Sequence, residues 1–340
     1  MTSRPLTTPA AKAPPRHLGP LVTSAIGFGC MGLSQGYGPV DDTESTATVH
    51  AALDAGVTLF DTAMSYGAGH NERLLGAALR SSGVDRTTVQ VASKFGIVRG
   101  DTGVYLDAHP DRVAGYCEDS LRRLGVDYLD LYYLHRVDPG VPIEESIGAM
   151  AELVQAGKVR WLGVSEVSVE QLLKAHTVHR LAAVQTEWSL MWRQPEDDVI
   201  PIARALGMGL VPYSPLGRGL LGGGLDVGTM TASPFRANDP RFGVDHVPAN
   251  LAQVEALTSL AGQWGVSTAQ LSLAWLLAQG ADVVPIPGTR RAERARENAS
   301  ASELLLDPAR LAEMDREAPP GSWAGDRASF AVPVTARASS

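Results

Sequence analysis

Gly56-Val57-Thr58-Leu59-Phe60-Asp61-Thr62-Ala63-Met64-Ser65-Tyr66-Gly67 opens on a glycine, continues as a short apolar run and breaks into polar residues at Asp61. Before it lies a helical pattern through Val49, Ala52 and Leu53, with Asp42 or Thr43 as N-cap and Gly56 as the stop. The arrangement recurs. Val89-Gln90-Val91-Ala92-Ser93 ends on Lys94, and Tyr128-Leu129-Asp130-Leu131-Tyr132-Tyr133-Leu134 ends on His135. In all, eight β-like runs stand at 25–29, 57–60, 89–93, 128–134, 159–164, 182–185, 209–212 and 283–286.

Helix punctuation fills the intervals. Pro110-Asp111 starts one helix that Gly125 stops, and Pro142 begins another that Gly157 ends. Strands alternating with helices predict a parallel sheet, and eight such units predict a closed (β/α)8 TIM barrel, an α/β fold in a single domain. We place it at 17–317, between an N-terminal tail (1–16) and an irregular C-terminal tail (318–340) whose Trp323 and Phe330 are available to fold back. The interval 214–248 contains Gly222-Gly223-Gly224 and reads as a long loop over the C-terminal face of the barrel. Helices are expected after it, near 251–264 and 268–279.

Composition bounds the function. The 340 residues are 44% hydrophobic and 19% charged, with a formal charge of −8. That suits a packed core and argues against a nucleic-acid binder. No apolar run spans a bilayer, and two cysteines, Cys30 and Cys117, make no disulfide framework, so a cytoplasmic protein without membrane partners is expected. His176 and His179 lack further ligands at metal spacing, so no metal is expected, and no nucleophile elbow is present. Gly27-Phe28-Gly29-Cys30-Met31-Gly32 matches a dinucleotide fingerprint, but loop residues follow it where a helix should start. These glycines instead suggest a close approach of backbone to ligand.

Asp61, Lys94 and His135 close successive strands, where a barrel enzyme keeps its chemistry. With Tyr66 they form a set able to hand a proton to a carbonyl oxygen. An ammonium beside a phenol stabilises the phenolate and lowers its pKa, and the ammonium needs a carboxylate to stay charged where it is dry. An imidazole can hold the carbonyl by a hydrogen bond. Arg290, Arg291, Arg294 and Arg296 follow Pro287-Gly288-Thr289 at a loop-to-helix start, a pattern suited to phosphate.

The motifs Gly56-Val57-x-x-Phe60-Asp61-Thr62-Ala63-x-x-Tyr66-Gly67, Asn71-Glu72, Ser93-Lys94, Leu129 to His135, Gly163-Val164-Ser165, Val184-Gln185, Pro212 to Leu216 and Pro285 to Thr289 together resemble the aldo/keto reductase superfamily. The resemblance covers roughly residues 18–317. It implies NADPH-dependent reduction of an aldehyde or ketone, with Tyr66 as general acid, Lys94 and Asp61 as its tuning pair and His135 orienting the carbonyl. It further implies that Ser165 and Gln185 hold the nicotinamide carboxamide while Tyr213 stacks on the ring. Ser214, Leu216 and Arg218 would follow the pyrophosphate, and Gly288, Thr289, Arg294, Glu297 and Asn298 the adenosine end. Two positions depart from the family pattern: Glu166 stands where many relatives have asparagine, and Gly288 replaces a lysine. Tyr37, Phe95, Trp188, Met191 and Trp192 are the expected lining of a pocket for a small carbonyl substrate. The competing reading is a cofactor-binding redox sensor or regulatory subunit on the same barrel.

Overall fold

The computed structural model describes residues 13–100, 103–223 and 234–327. The expectations for 1–12, 224–233 and 328–340, Phe330 included, lie outside the described residues. Seven parallel strands pair in chain order: β1 (Phe28–Gly29), β2 (Leu59–Asp61), β3 (Gln90–Phe95), β4 (Leu129–Leu134), β5 (Val159–Ser165), β6 (Ala183–Glu187) and β7 (Gly209–Tyr213).

The eighth expected strand, 283–286, is present as a hydrogen-bonded segment with one parallel bridge, Leu210 to Val283. Val284 and Ile286 donate to Leu210 and Pro212 of β7, at 2.9 and 3.1 Å. On its other side the carbonyls of Pro285 and Pro287 accept from Gly27 and Gly29, at 2.9 and 3.2 Å. Both sides are bonded, so the barrel closes. The ladder is incomplete because prolines at 285 and 287 have no N–H to return toward β1.

Helices cover the outside. Asp42–Asp54 is capped by Asp41, one residue earlier than expected, because the Asp41 carboxylate reaches the N–H groups of both Thr43 and Glu44. Pro110–Leu124 follows as read; Ile143–Gln155 starts one residue later than expected, because Pro142 is extended (ψ 129°) and stands as the N-cap; the two end at left-handed Gly125 and Gly157. After the long loop, Val247–Trp264 begins four residues before its expected start, and Thr268–Ala278 carries a Ser267/Gln270 capping box. No described helix is long and apolar enough to cross a membrane.

Two antiparallel hairpins were not anticipated. Arg16–Leu18 pairs with Leu21–Thr23, which puts Arg16 in a strand at the edge of the supposed tail. Its guanidinium binds the carbonyls of Leu277, Gly280 and Val283, so the hairpin is pinned to the body. Leu18 and Leu21 join Leu59, Ala92, Leu131, Ala183, Val211 and Val284 in the barrel interior and plug its floor. The second hairpin, Ile97–Gly100 with Gly103–Leu106, rises from the end of β3.

Candidate active site

Side chains alternate along a strand, so every second residue enters the barrel. On β2, Leu59 and Asp61 point inward while Phe60 joins the outer core; on β3, Ala92 and Lys94 point inward; on β4, Leu131, Tyr133 and then His135 do. The inward face therefore ends in Asp61, Lys94 and His135, above an apolar plug. Tyr66 begins a single 3-10 turn just beyond β2.

These four side chains meet. Lys94, fully buried, forms an ion pair with Asp61, donates to the carbonyl of Thr62 at 2.8 Å, and lies 3.4 Å from the Tyr66 hydroxyl. The second oxygen of Asp61 accepts from Gln185 Nε2 at 2.9 Å. The Tyr66 and His135 rings meet edge to face, 5.8 Å apart.

Protonation follows from burial. Burial opposes the charge of Lys94, but Asp61 and Tyr66 more than offset it, and the ammonium is held above its ordinary value. Burial also pushes the Tyr66 phenol above 10.0, and the opposing pull of Lys94 does not prevail. This reverses the sequence expectation of a lowered phenol. His135 is driven well below 6.5, by burial first and then by Arg136, Lys94 and Arg99. It is thus a neutral imidazole at pH 7, and its Nδ1 has no partner among the described residues.

Tyr66 and His135 lie on the wall of a cavity of about 860 Å3 at the C-terminal end of the barrel. Of the residues assigned to a cofactor by resemblance, Ser165, Gln185, Tyr213, Ser214, Leu216, Arg218, Gly288 and Thr289 line it. Arg294, Glu297 and Asn298 do not. Arg294 donates to the carbonyls of Gly222 and Gly223 and pairs with Glu297, while Asn298 is buried. The arginine cluster likewise splits. Arg290 and Arg291 line the cavity, whereas Arg296 faces a hollow at the opposite, N-terminal end of the strands.

Several expectations need correction. Arg218 lines the cavity, but its guanidinium is held by Asp239 at 2.8 Å and Glu187 at 3.6 Å. Glu166 turns away from the cavity to Arg327, because its backbone is left-handed (φ 55°). The glycines of the false fingerprint serve chain packing first: a Cβ on Gly29 would meet the Ile286 carbonyl at 2.6 Å, and one on Gly288 the Gly29 carbonyl at 2.6 Å.

Of the five expected pocket residues only Tyr37 lines the cavity. Phe95 follows Lys94 by one residue, so it faces outward and stacks on Tyr132 at 5.3 Å. Trp188 follows inward-facing Glu187 and packs edge to face on Trp275, its Nε1 donating to Glu196 at 2.8 Å. Met191 is buried against Gly217, and Trp192 lies under Arg327, whose guanidinium is 5.4 Å from its ring centroid. The lining comes instead from residues passed over, among them Met31, Ile97, Val104 and Phe235. Phe235 meets Tyr37 edge to face, 6.0 Å apart, so the long loop does reach over the mouth. Arg99 and Arg136, also on the lining, were missed. Nothing in their spacing marks them, although Arg136 adjoins His135.

A buried cluster of three arginines and three carboxylates was missed as well. Arg241 binds Glu187 at 2.6 Å and Asp239 at 2.7 Å, beside Arg218, and Arg327 binds Glu166 next to it. It joins the end of β6, the long loop and the C-terminal segment.

Three comparisons with known proteins bear on this arrangement. The sequence profile described as the aldo/keto reductase family matches residues 25–318. A curated soybean (Glycine max) protein, "Probable aldo-keto reductase 1", is 43% identical over 307 residues, 89% of this chain and 88% of its own length. Among solved structures, a glycerol dehydrogenase from Gluconobacter oxydans superimposes with a TM-score of 0.82 at 31% identity, covering 92% of this chain and 98% of that one. An aldo-keto reductase from Klebsiella pneumoniae, solved in complex with NADPH, gives a TM-score of 0.69 at 28% identity over 91% and 96% of the two chains. The chain belongs to the aldo/keto reductase family of oxidoreductases.

Proposed function

We propose that the protein reduces an aldehyde or ketone to an alcohol with NADPH, with Tyr66 as the proton donor. The observation that carries this reading is Tyr66 on the cavity wall, with its hydroxyl 3.4 Å from an ammonium that is itself paired with a buried carboxylate. The raised pKa of the phenol keeps its proton in place until an oxyanion more basic than phenolate develops. Lys94 then stabilises the phenolate that remains, and Asp61 keeps Lys94 charged. Neutral His135 holds the carbonyl oxygen through a ring N–H, without competing as an acid.

Bound NADPH would supply a hydride to the carbonyl carbon, and Tyr66 would give its proton to the oxygen, which takes up the C=O electron pair. The fit of a dinucleotide is supported by the cavity's volume, by His135 Nδ1, which has no partner among the described residues, and by the cations at the cavity's far side. Ser165 and Gln185 would hold the carboxamide, and Tyr213 would face the ring. Ser214, Leu216 and Arg218 would hold the pyrophosphate, Arg218 through its left-handed backbone (φ 56°), since its side chain is engaged. Gly288, Thr289, Arg290 and Arg291 would meet the adenosine end. Arg294, Glu297 and Asn298 join them only if the 222–223 turn releases Arg294.

The test is Tyr66→Phe. Loss of the acid is expected to cut kcat by roughly 10²- to 10⁴-fold, with the Kd for NADPH nearly unchanged. Undiminished turnover in that variant would remove Tyr66 as the donor.

A further inference from the structure

Six arginines line the cavity among the described residues, against a single carboxylate, Asp61, which is already paired with Lys94. The chain as a whole carries −8, so this concentration of positive charge runs against its composition. Four of the six have visible occupations. Arg218 is held by Asp239 and Glu187, and Arg236 donates to the Arg218 carbonyl at 3.0 Å. Arg290 donates to the carbonyls of Tyr37 and Pro39, and Arg291 pairs with Glu293 at 3.4 Å.

Arg99 and Arg136 differ. They stand beside the proton donor, not at the adenosine end. Arg99 Nε donates at 2.8 Å to the carbonyl of Ser65, the residue before Tyr66. Arg136 Nη1 donates to the His135 carbonyl at 2.6 Å and to the Ser165 hydroxyl at 3.1 Å. All three acceptors are neutral. Each contact uses one nitrogen of a group with five N–H donors, and neither arginine forms an ion pair among the described residues. Arg136 is half-buried; Glu166 lies near enough to act on its charge, but that carboxylate is hydrogen-bonded to Arg327, and no carboxylate meets Arg136 directly among the described residues. A guanidinium fork matches a carboxylate in two parallel hydrogen bonds.

We propose that the substrate is a carbonyl compound bearing a carboxylate, which Arg136 and Arg99 hold so that the carbonyl faces Tyr66 and His135. This rests on reading the site as a carbonyl reductase. The two arginines select substrate by charge, favouring acidic substrates over neutral ones.

A matched pair of compounds tests it: 4-oxobutanoate and its methyl ester, compared by kcat/KM with NADPH in the native protein, Arg136→Met, Arg99→Met and the distant surface control Arg122→Met. The native protein is expected to prefer the acid. Arg136→Met should raise the KM for the acid roughly 10- to 100-fold, the scale of one charged hydrogen-bonding pair, and bring the acid-to-ester ratio toward unity. Arg99→Met should do the same to a smaller degree, and Arg122→Met should leave the ratio alone. Equal use of acid and ester by the native protein would overturn the proposal. So would a variant that loses both activities equally while its Kd for NADPH rises, which would reassign Arg136 to the cofactor. Calorimetric binding of butanoate to the NADP+-saturated protein separates the two readings. Binding that Arg136→Met abolishes, with neither compound reduced, would keep the carboxylate site and sink the reductase. Absence of butanoate binding to the native protein would sink the carboxylate site.

Discussion

Lys94 and Phe95 are neighbours in sequence, yet one lies in the chemical cluster and the other stacks on Tyr132 in the outer core. The period of two along β3 forbids both from entering the barrel. That constraint was legible in the sequence and excludes Phe95 once Lys94 is chosen. The charge states were less legible, because they depend on burial. With His135 driven well below 6.5 and Tyr66 above 10.0, neither group titrates in the physiological range. We therefore expect kcat for carbonyl reduction at saturating NADPH to vary by less than about twofold between pH 6 and 9. It should fall only above pH 10, as Tyr66 loses its proton. A limb near pH 6.5 in a kcat profile would show that His135 titrates and that its burial has been misjudged.

At the scale of elements, helix caps and stops were readable to within a few residues because they are local chemistry: a carboxylate over free N–H groups, or a glycine free to turn left-handed. The two hairpins were not readable, although each pairs within its own stretch: strands of 3 or 4 residues are too short to show an alternating pattern, and what pins the first, Arg16 on the carbonyls of Leu277, Gly280 and Val283, lies far along the chain. One glycine carries an unusual constraint. Within β5, Gly163 faces the barrel interior, where a Cβ would lie 2.5 Å from the Tyr133 ring and 2.9 Å from the Ala183 carbonyl. Gly163→Ala should thus cost about 1–3 kcal/mol through overpacking, although alanine is ordinarily tolerated in strands. Chemical denaturation with an unchanged m-value would measure it, and a neutral effect would mean that Tyr133 can move aside.

For the whole molecule, the arginine–carboxylate cluster ties the C-terminal segment to the barrel. Trp323 packs on the core, Asn250 exchanges hydrogen bonds of 2.9 and 2.8 Å with Ala324, and Arg327 reaches Glu166. Burial works against ionisation of Glu166, but Arg327 overrides it and holds the carboxyl down at about 2, against an ordinary 4.5. A depressed carboxylate adds stability that is complete above pH 4.5 and is lost as pH falls through 2, of order 3 kcal/mol in all. Glu166→Gln should accordingly lower Tm at pH 7, and the gap to the native protein should narrow between pH 4.5 and 2. A gap independent of pH would show that Glu166 acts through packing alone.

The sequence by itself determined the barrel, the inward parity of Asp61, Lys94 and His135, and the family, because strand period, helix punctuation and motif spacing are all properties of contiguous residues. Only the tertiary structure decided which arginines face the cavity, that Glu166 belongs to the C-terminal clamp, and that the aromatic residues at 95, 188 and 192 stay off the cavity lining. Those outcomes depend on which distant charges and rings end up within a few ångströms of each other. Desolvation then sets the protonation of the buried groups, and burial is a property of the closed barrel, which no single segment carries.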